Sequence, residues 1–346
     1  MRHTFPHGTL LLGALAVMAC QAAPKPPAAP VEQAVGDAAP SLKPPAPMSH
    51  GEAPVGTPTA PAMRSAEAPA RSTTRMHRLR LETKHVRHVL APGVTYEAWT
   101  FDGQIPGPTL RVTVGDTVDF TLVNRSLMPH SMDFHAAEIA PSRAYVNVMP
   151  NDSLSFRFVA RVPGAFMYHC GTAPVAAHIA NGMYGAIIVD PPKPRAAARE
   201  FVLVQSEFYL GPKSGKDSVQ SLDWGRMLDL APDYVTFNGT SNLYATHPLQ
   251  VEPGELLRFY LVNAGPNRVS AFHIVGGIFE RVYLDGLGSP LRAVQTFSVP
   301  VGGGMIFEAR LPEEGIYPFV SHAFADATKG AVGMLRAGQP TGTAAH

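Results

Sequence analysis

The residues best suited to chemistry in this chain gather around Cys170. Tyr168-His169-Cys170 is followed by His178 and Met183, and His130-Ser-Met-Asp133-Phe-His135 lies upstream. Two imidazoles, a thiolate and a weak axial thioether make the trigonal donor set that redox-active copper prefers and that zinc or magnesium does not. Cys170-x7-His178-x4-Met183 offers three such donors from one loop, and His130 offers the fourth. Taken singly, a buried Cys is usually a small core hydrophobe, and a lone Met usually fills a core. Taken together, these residues have few explanations other than copper.

Strand parity separates a second set of donors from the first. Neighbouring side chains on a strand face opposite ways, so His169 and Cys170 point apart. On an unbulged strand His130 and His135 also point apart, whereas Asp133 and His135 share a face. One side then holds His130 with Cys170, and the other holds Asp133, His135 and His169, two imidazoles and a carboxylate suited to a second metal. The adjacent pair His169-Cys170 would join the two metals by a short covalent path.

The elements that must position these residues read as β-structure. The chain has 346 residues with 34 Pro, 31 Gly, 16% charged residues and a formal net charge of +1, enough for two domains that each bury a core. Near-neutral charge without a basic stripe gives no case for nucleic acid. The basic run from Arg71 to Arg87 reads as a solvated linker end.

Residues 1–19 read as a signal peptide: Arg2 and His3 precede an apolar run, Leu10 to Val17, too short to span a bilayer. Val17-Met18-Ala19-Cys20 resembles a lipoprotein cleavage site with Cys20 as the lipidated residue, placing the protein outside the cytoplasm, on the periplasmic side or outer membrane, held through N-terminal lipid only. With Cys20 committed to lipid and Cys170 to copper, no disulfide is available. Residues 20–77 are Ala/Pro-rich and lack the large apolar side chains needed for a core, the composition of an extended spacer. Residues 338–346 read as a flexible tail.

Between these ends the chain repeats. Trp99-Thr-Phe-Asp-Gly103, Pro108 to Asp116 and Phe120-Thr-Leu-Val-Asn124 return as Tyr234 to Gly239, Pro248 to Glu255 and Phe259-Tyr-Leu-Val-Asn263. Apolar strands broken by Pro/Gly turns predict two tandem β-sandwiches, over 78–193 and 194–337. Matching Gly164 to Gly315 sets Cys170 opposite Ser321, leaves His130 near Arg268 or Val269, and sets Phe134-His135 opposite Phe272-His273. The thiolate site therefore belongs to the first domain alone, while the second keeps His273 and His322.

These motifs resemble the copper-containing nitrite reductases, trimeric enzymes that make nitric oxide in denitrification. The resemblance covers about residues 80 to 337 and is carried by Met128 to Ala137, Tyr168 to Pro174, His178 to Gly185 and Ser270 to Gly276. It implies an all-β chain of two tandem cupredoxin-type Greek-key β-sandwich domains. It also implies type 1 copper on His130, Cys170, His178 and Met183. Type 2 copper is implied on His135 and His169, with His322 from the neighbouring subunit of a homotrimer. Asp133 and His273 match the catalytic acid/base pair, and Val275 stands where the family usually has an isoleucine over the metal. Nitrite would be reduced to nitric oxide with one electron and two protons. The electron donor would be another protein, a c-type cytochrome or small cupredoxin, since no Cys-x-x-Cys-His haem motif occurs. Two departures touch the second copper: Glu138-Ile-Ala-Pro-Ser-Arg143 replaces a Gly-rich loop, and Val275 is one methylene short.

Rival readings are a two-domain multicopper oxidase and a lipid-anchored electron-transfer or copper-binding cupredoxin without nitrite turnover. The oxidase needs His-x-His pairs for a trinuclear cluster, and none of the 14 histidines forms one. The simple cupredoxin leaves Asp133, His169, His273 and His322 unexplained.

Overall fold

Short strands separated by Gly and Pro turns account for nearly all regular structure in the computed structural model, which describes residues 65–213, 219–285 and 288–340. The expected signal peptide, Cys20, the spacer up to residue 64 and the last six residues of the expected tail lie outside the described residues. The first half comprises β1 (Met76–Ala91), β2 (Val94–Phe101), β3 (Leu110–Thr113), β4 (Thr117–Asn124), β5 (Asp133–Phe134), β6 (Ser153–Val159), β7 (Gly164–His169) and β8 (Tyr184–Asp190). The second comprises β9 (Arg199–Phe208), β10 (Tyr234–Phe237), β11 (Leu249–Val251), β12 (Leu257–Asn263), β13 (Ser270–Ile274), β14 (Phe279–Tyr283), β15 (Leu291–Val294), β16 (Thr296–Val299), β17 (Gly304–Ala309), β18 (Gly315–Ser321) and β19 (Val332–Ala337).

Each half is a sandwich of two sheets: β2-β1-β4-β6 over β3-β8-β7-β5, then β10-β9-β12-β17-β14-β15 over β11-β19-β18-β13-β16. The pairing itself repeats, with β1 parallel to β4 as β9 is to β12, and β3 parallel to β8 as β11 is to β19.

Each sandwich has its own core, Phe120, Phe134, Tyr168 and Ile187 being central in the first and Phe259, Phe272, Phe307 and Phe319 in the second. A third apolar cluster joins them. Phe166 and Tyr168 of β7 point into the first core, while Ala165 and Met167 pack against Val204, Tyr260 and Ile306 of the second sandwich. Strands β7 and β8 are thus buried on both faces along their whole length, and the donor-bearing end of β7 sits on a rigid element. Arg111 ties the same interface, donating to Asp190 at 2.8 Å and to Glu200 at 2.7 Å. Burial opposes the charge on Glu200, but Arg111 and Arg258 outweigh it and hold the carboxyl below its usual range.

The structure corrects the sequence reading at the spacer. From Ser65 the chain is fixed to the folded body, well before residue 77. Ala66 is 1% exposed within the second core, Glu67 bridges to Phe201, and Ala68 donates its N–H to the Glu200 carbonyl at 3.0 Å. Small Ala and Pro side chains build no core of their own, yet they fit against a sheet that offers one. The basic run is not a linker end either: from Met76 it forms β1, with Arg78 and Arg80 outward and Leu79 and Leu81 turned toward the core.

The repeat register also shifts. Asp133 pairs with His169 and Phe134 with Tyr168, whereas His273 pairs with Val320 and Ile274 with Phe319. With Gly164 matched to Gly315, Asp133 is the counterpart of His273 and Phe134 of Ile274. His135 then corresponds to Val275: its N–H donates to Met167, and that of Val275 to Pro318, the same place in the repeat. His130 bridges Val148 as Ser270 pairs with Val299, so Ser270, and not Arg268 or Val269, stands in its place.

Candidate metal centres

His130 does not lie on a continuous strand with His135, because β5 covers only Asp133–Phe134. Instead a two-way bridge to Val148 fixes it, with N···O distances of 3.1 and 2.7 Å. Cys170 follows the last residue of β7, and His178 sits on the short helix Val175–Ala180. Met183 closes the loop: its N–H donates to the His178 carbonyl and its carbonyl accepts the Cys170 N–H, both at 3.1 Å. His130, Cys170 and Met183 are each 0% exposed and His178 is 1% exposed. Cys170 Sγ lies 3.2 Å from His178 Nδ1 and 3.8 Å from His130 Nδ1, and the two Nδ1 atoms are 3.2 Å apart. Ser131 N–H donates to the sulfur at 3.3 Å, while its hydroxyl accepts the Gly171 N–H at 3.0 Å.

Burial governs the protonation of these groups. It pushes His130 down to about 2, aided by His178 and His85, and His178 down to about 4, aided by His85. It pushes the Cys170 thiol up, against the Ser131 and Thr172 hydrogen bonds. Both imidazoles are therefore neutral and open to a cation, and a metal held there would displace the thiol proton.

The second cluster lies on the other side of the His169-Cys170 peptide. Asp133, His135 and His169 bring one ligand atom each to within 4.8 Å of one another. His169 Nδ1–H donates to the Cys170 carbonyl at 2.9 Å, and His135 Nδ1–H donates to the Gly302 carbonyl at 3.0 Å. Those carbonyls can only accept, so they fix both tautomers and leave both Nε2 atoms as lone-pair donors. The two Nε2 atoms face each other at 3.0 Å, an arrangement that a shared cation satisfies and that two lone pairs alone do not. Carbonyl-anchored imidazoles are the usual outer support of a metal site. Asp133 Oδ2 lies 3.8 Å from His169 Nε2. Burial lowers the His169 pKa, opposed by its bond to the Cys170 carbonyl.

His273 and His322 stand apart from this cluster within one chain. Their rings are 5.4 Å apart on the second sandwich, the His322 side chain exposed and stacked edge-on against Phe324. His273 Nδ1–H donates to the Gln295 carbonyl at 2.7 Å, and Val275, half-buried, lies two residues on. Among the described residues, neither histidine belongs to a metal-capable group of three.

Sequence reasoning missed two neighbours of the centres. His85 on β1 places its Nε2 3.3 Å from His130 Nε2 and stacks on Trp99. Tyr145 follows the one-turn helix Pro141–Ala144 that the altered loop forms, and donates to the Phe134 carbonyl at 3.2 Å. Burial and the neighbouring Asp133 charge push its phenol up to about 12.

The donor sets fit copper: soft thiolate with imidazoles in one cluster, and two imidazoles, with the Asp133 carboxylate beside them, in the other. Two β-sandwiches in tandem, with paired donor clusters in the first, define an all-β copper protein of the two-domain cupredoxin class. The family description "Multicopper oxidase" matches residues 82–194. The copper-containing nitrite reductase of Neisseria meningitidis serogroup B is 40% identical over 266 residues, covering 75% of this chain and 68% of that protein. The solved copper nitrite reductase of Nitrosomonas europaea superposes with a TM-score of 0.70 at 38% identity, covering 76% of this chain and 94% of that one. That of Thermus scotoductus gives 0.69 at 35%, covering 76% of this chain and 62% of that one. The chain belongs to the copper-containing nitrite reductase family.

Proposed function

We propose that this protein reduces nitrite to nitric oxide and water, taking one electron from an external protein donor and two protons. The observation that carries this reading is the pair of donor clusters set back to back across the His169-Cys170 peptide, with the His169 Nδ1–H donating to the Cys170 carbonyl. His130, Cys170, His178 and Met183 would hold the type 1 copper, and His135 and His169, with His322 of a neighbouring subunit, the type 2 copper. When bound, copper supplies one-electron redox chemistry and a Lewis-acidic position for a nitrite oxygen.

The protein's own groups then handle the protons. Asp133, half-buried beside His169, hydrogen-bonds a nitrite oxygen and delivers one proton. His273 delivers the second from Nε2, since the Gln295 carbonyl holds the proton on its other nitrogen. Half-buried His273 and exposed His322 are neighbours on the second sandwich, outside the cluster of His135 and His169. Both would reach the site of the next subunit, and a head-to-tail contact that closes makes a ring, a homotrimer by the resemblance to the family. Val275 would come with them as the apolar cover.

The test combines two inactive variants. His135→Ala and His322→Ala chains should each lack type 2 copper while keeping a blue or green band. Mixed and reassembled, they should regain part of the nitrite consumption measured with an artificial electron donor, because some interfaces then have both halves intact. No recovery despite confirmed mixing, or a fully active monomer by light scattering, refutes the shared site.

We also propose lipid attachment at Cys20 and residence on the periplasmic side or outer membrane, supported by Val17-Met-Ala-Cys20 after the apolar run. In cells, Cys20→Ser should move the protein from the membrane to the soluble fraction; unchanged fractionation refutes the anchor.

A further inference from the structure

We propose that His85 is a positioning residue for the type 1 centre: it accepts a hydrogen bond from His130 Nε2–H and thereby sets the donor strength of His130 toward copper. The inference rests on His130 being a copper ligand.

The geometry assigns the proton. His130 turns Nδ1 toward Cys170 Sγ and His178 Nδ1, at 3.8 and 3.2 Å. With Nδ1 given to a metal, the neutral ring carries its hydrogen on Nε2. The group facing that nitrogen is His85 Nε2 at 3.3 Å, so His130 donates and His85 accepts. His85 is not a loose side chain. Its ring stacks on Trp99 with centroids 5.4 Å apart and planes within 16°. Trp99 in turn meets His178 edge-on at 5.0 Å and His130 at 6.3 Å. His85 and Trp99 are also direct register partners across β1 and β2. One aromatic plate thus holds both the acceptor and the ligands it serves.

An acceptor on the distal nitrogen makes an imidazole a stronger donor and fixes its ring plane. A stronger donor favours oxidised over reduced copper, so His85 should lower the reduction potential of the centre. The second sandwich supports a specific role for this position. Thr83 pairs with Asn124 as Gln205 pairs with Asn263, which makes Glu207 the counterpart of His85. Glu207 also faces the loop that precedes its sandwich's His130 counterpart, accepting the Asn267 N–H at 3.2 Å and the Arg268 N–H at 2.5 Å. In both repeats this position supplies an acceptor to the same loop region, and in the first it reaches the ligand itself.

The test compares His85→Phe, which keeps a ring on Trp99 but no acceptor, with His85→Gln, whose amide oxygen restores one. The readouts are the visible charge-transfer band and the midpoint potential of the copper-loaded trimer. A parent without any such band refutes the type 1 reading itself, before the variants are considered. Given the band, His85→Phe should shift the redox equilibrium about tenfold toward the reduced form, which is about 59 mV for one electron, and His85→Gln should recover most of it. Equal potentials in all three proteins would overturn the proposal. So would equal shifts, or equal loss of copper, in Phe and Gln variants, since a merely structural ring would account for those.

Discussion

In the first sandwich the Cys170 sulfur accepts the Ser131 N–H at 3.3 Å; in the second the Ser321 hydroxyl accepts the Ala271 N–H, also at 3.3 Å. Asn124 donates to the Met128 and Val148 carbonyls at 2.8 Å, and Asn263 donates to those of Arg268 and Val299 at 2.7 and 3.1 Å. The hydrogen-bonded frame around the donor loop is therefore the same in both halves and does not need a metal. What differs is the side chain placed on it. His130 becomes Ser270, which donates to Gln205 at 2.5 Å; His169 becomes Val320, and Gly171 becomes His322. The first half uses the frame to bury His130, Cys170, His178 and Met183, and the second uses it to place half-buried His273 beside exposed His322. Asp133 and His273, assigned complementary proton roles, occupy one and the same repeat position.

That coincidence yields the prediction with the larger effect. On the proposed assignments, Asp133→Asn and His273→Ala each remove one proton-delivering group while sparing the residues proposed to hold copper. Each variant should keep both coppers and its melting temperature, yet lose about 10²-fold or more of nitrite turnover, the range for losing a general acid/base. If the two positions act as a pair, the double variant should cost far less than the product of the single losses. Full activity in both single variants would sink the proton roles; multiplicative losses would sink the pairing.

The sequence exposed the copper chemistry because it is local: Cys170, His178 and Met183 fall on one loop, and their residue types are diagnostic together. The two sandwiches were readable from repeated Gly/Pro turns and apolar strands. The register was not. Phe134-His135 and Phe272-His273 match by identity, whereas hydrogen bonding sets Asp133 opposite His273 and makes β5 too short for parity to run from His130 to His135. Strands β7 and β8 gave no alternation because both faces are buried, one by the first core and one by the second sandwich. His85 stayed hidden because it is distant in sequence from His130 and sits in a basic run resembling a linker, where only the pairing of β1 with β2 brings it to Trp99. Residues 65–75 were misread for a related reason, since composition reports whether a segment can build a core but not whether it can borrow one.

A smaller effect sharpens the contrast between the halves, and it concerns the copper-free protein in acid. The first sandwich buries two neutral histidines, His178 at about 4 and His130 at about 2, against about 6.5 in an unfolded chain. Because the folded values are depressed, the unfolded chain binds more protons below pH 6.5. Stability is therefore lost as pH falls from about 6.5, until each group protonates in the folded state as well. At pH 5 each histidine should cost the first sandwich on the order of 2 kcal/mol relative to neutral pH. The second sandwich carries the opposite sign at Glu207, whose pKa burial raises. That group holds its proton to higher pH when folded, so its contribution is present at low pH and lost as pH rises through its folded value. Hydrogen exchange on chelator-treated protein, corrected for intrinsic rates, should therefore show β4 and β7 losing protection between pH 7 and pH 5 while β12 and β18 largely keep theirs. Copper should abolish the difference by occupying the imidazoles. Equal loss in both sandwiches, or a difference that copper leaves unchanged, would mean that the buried histidines do not control the acid response.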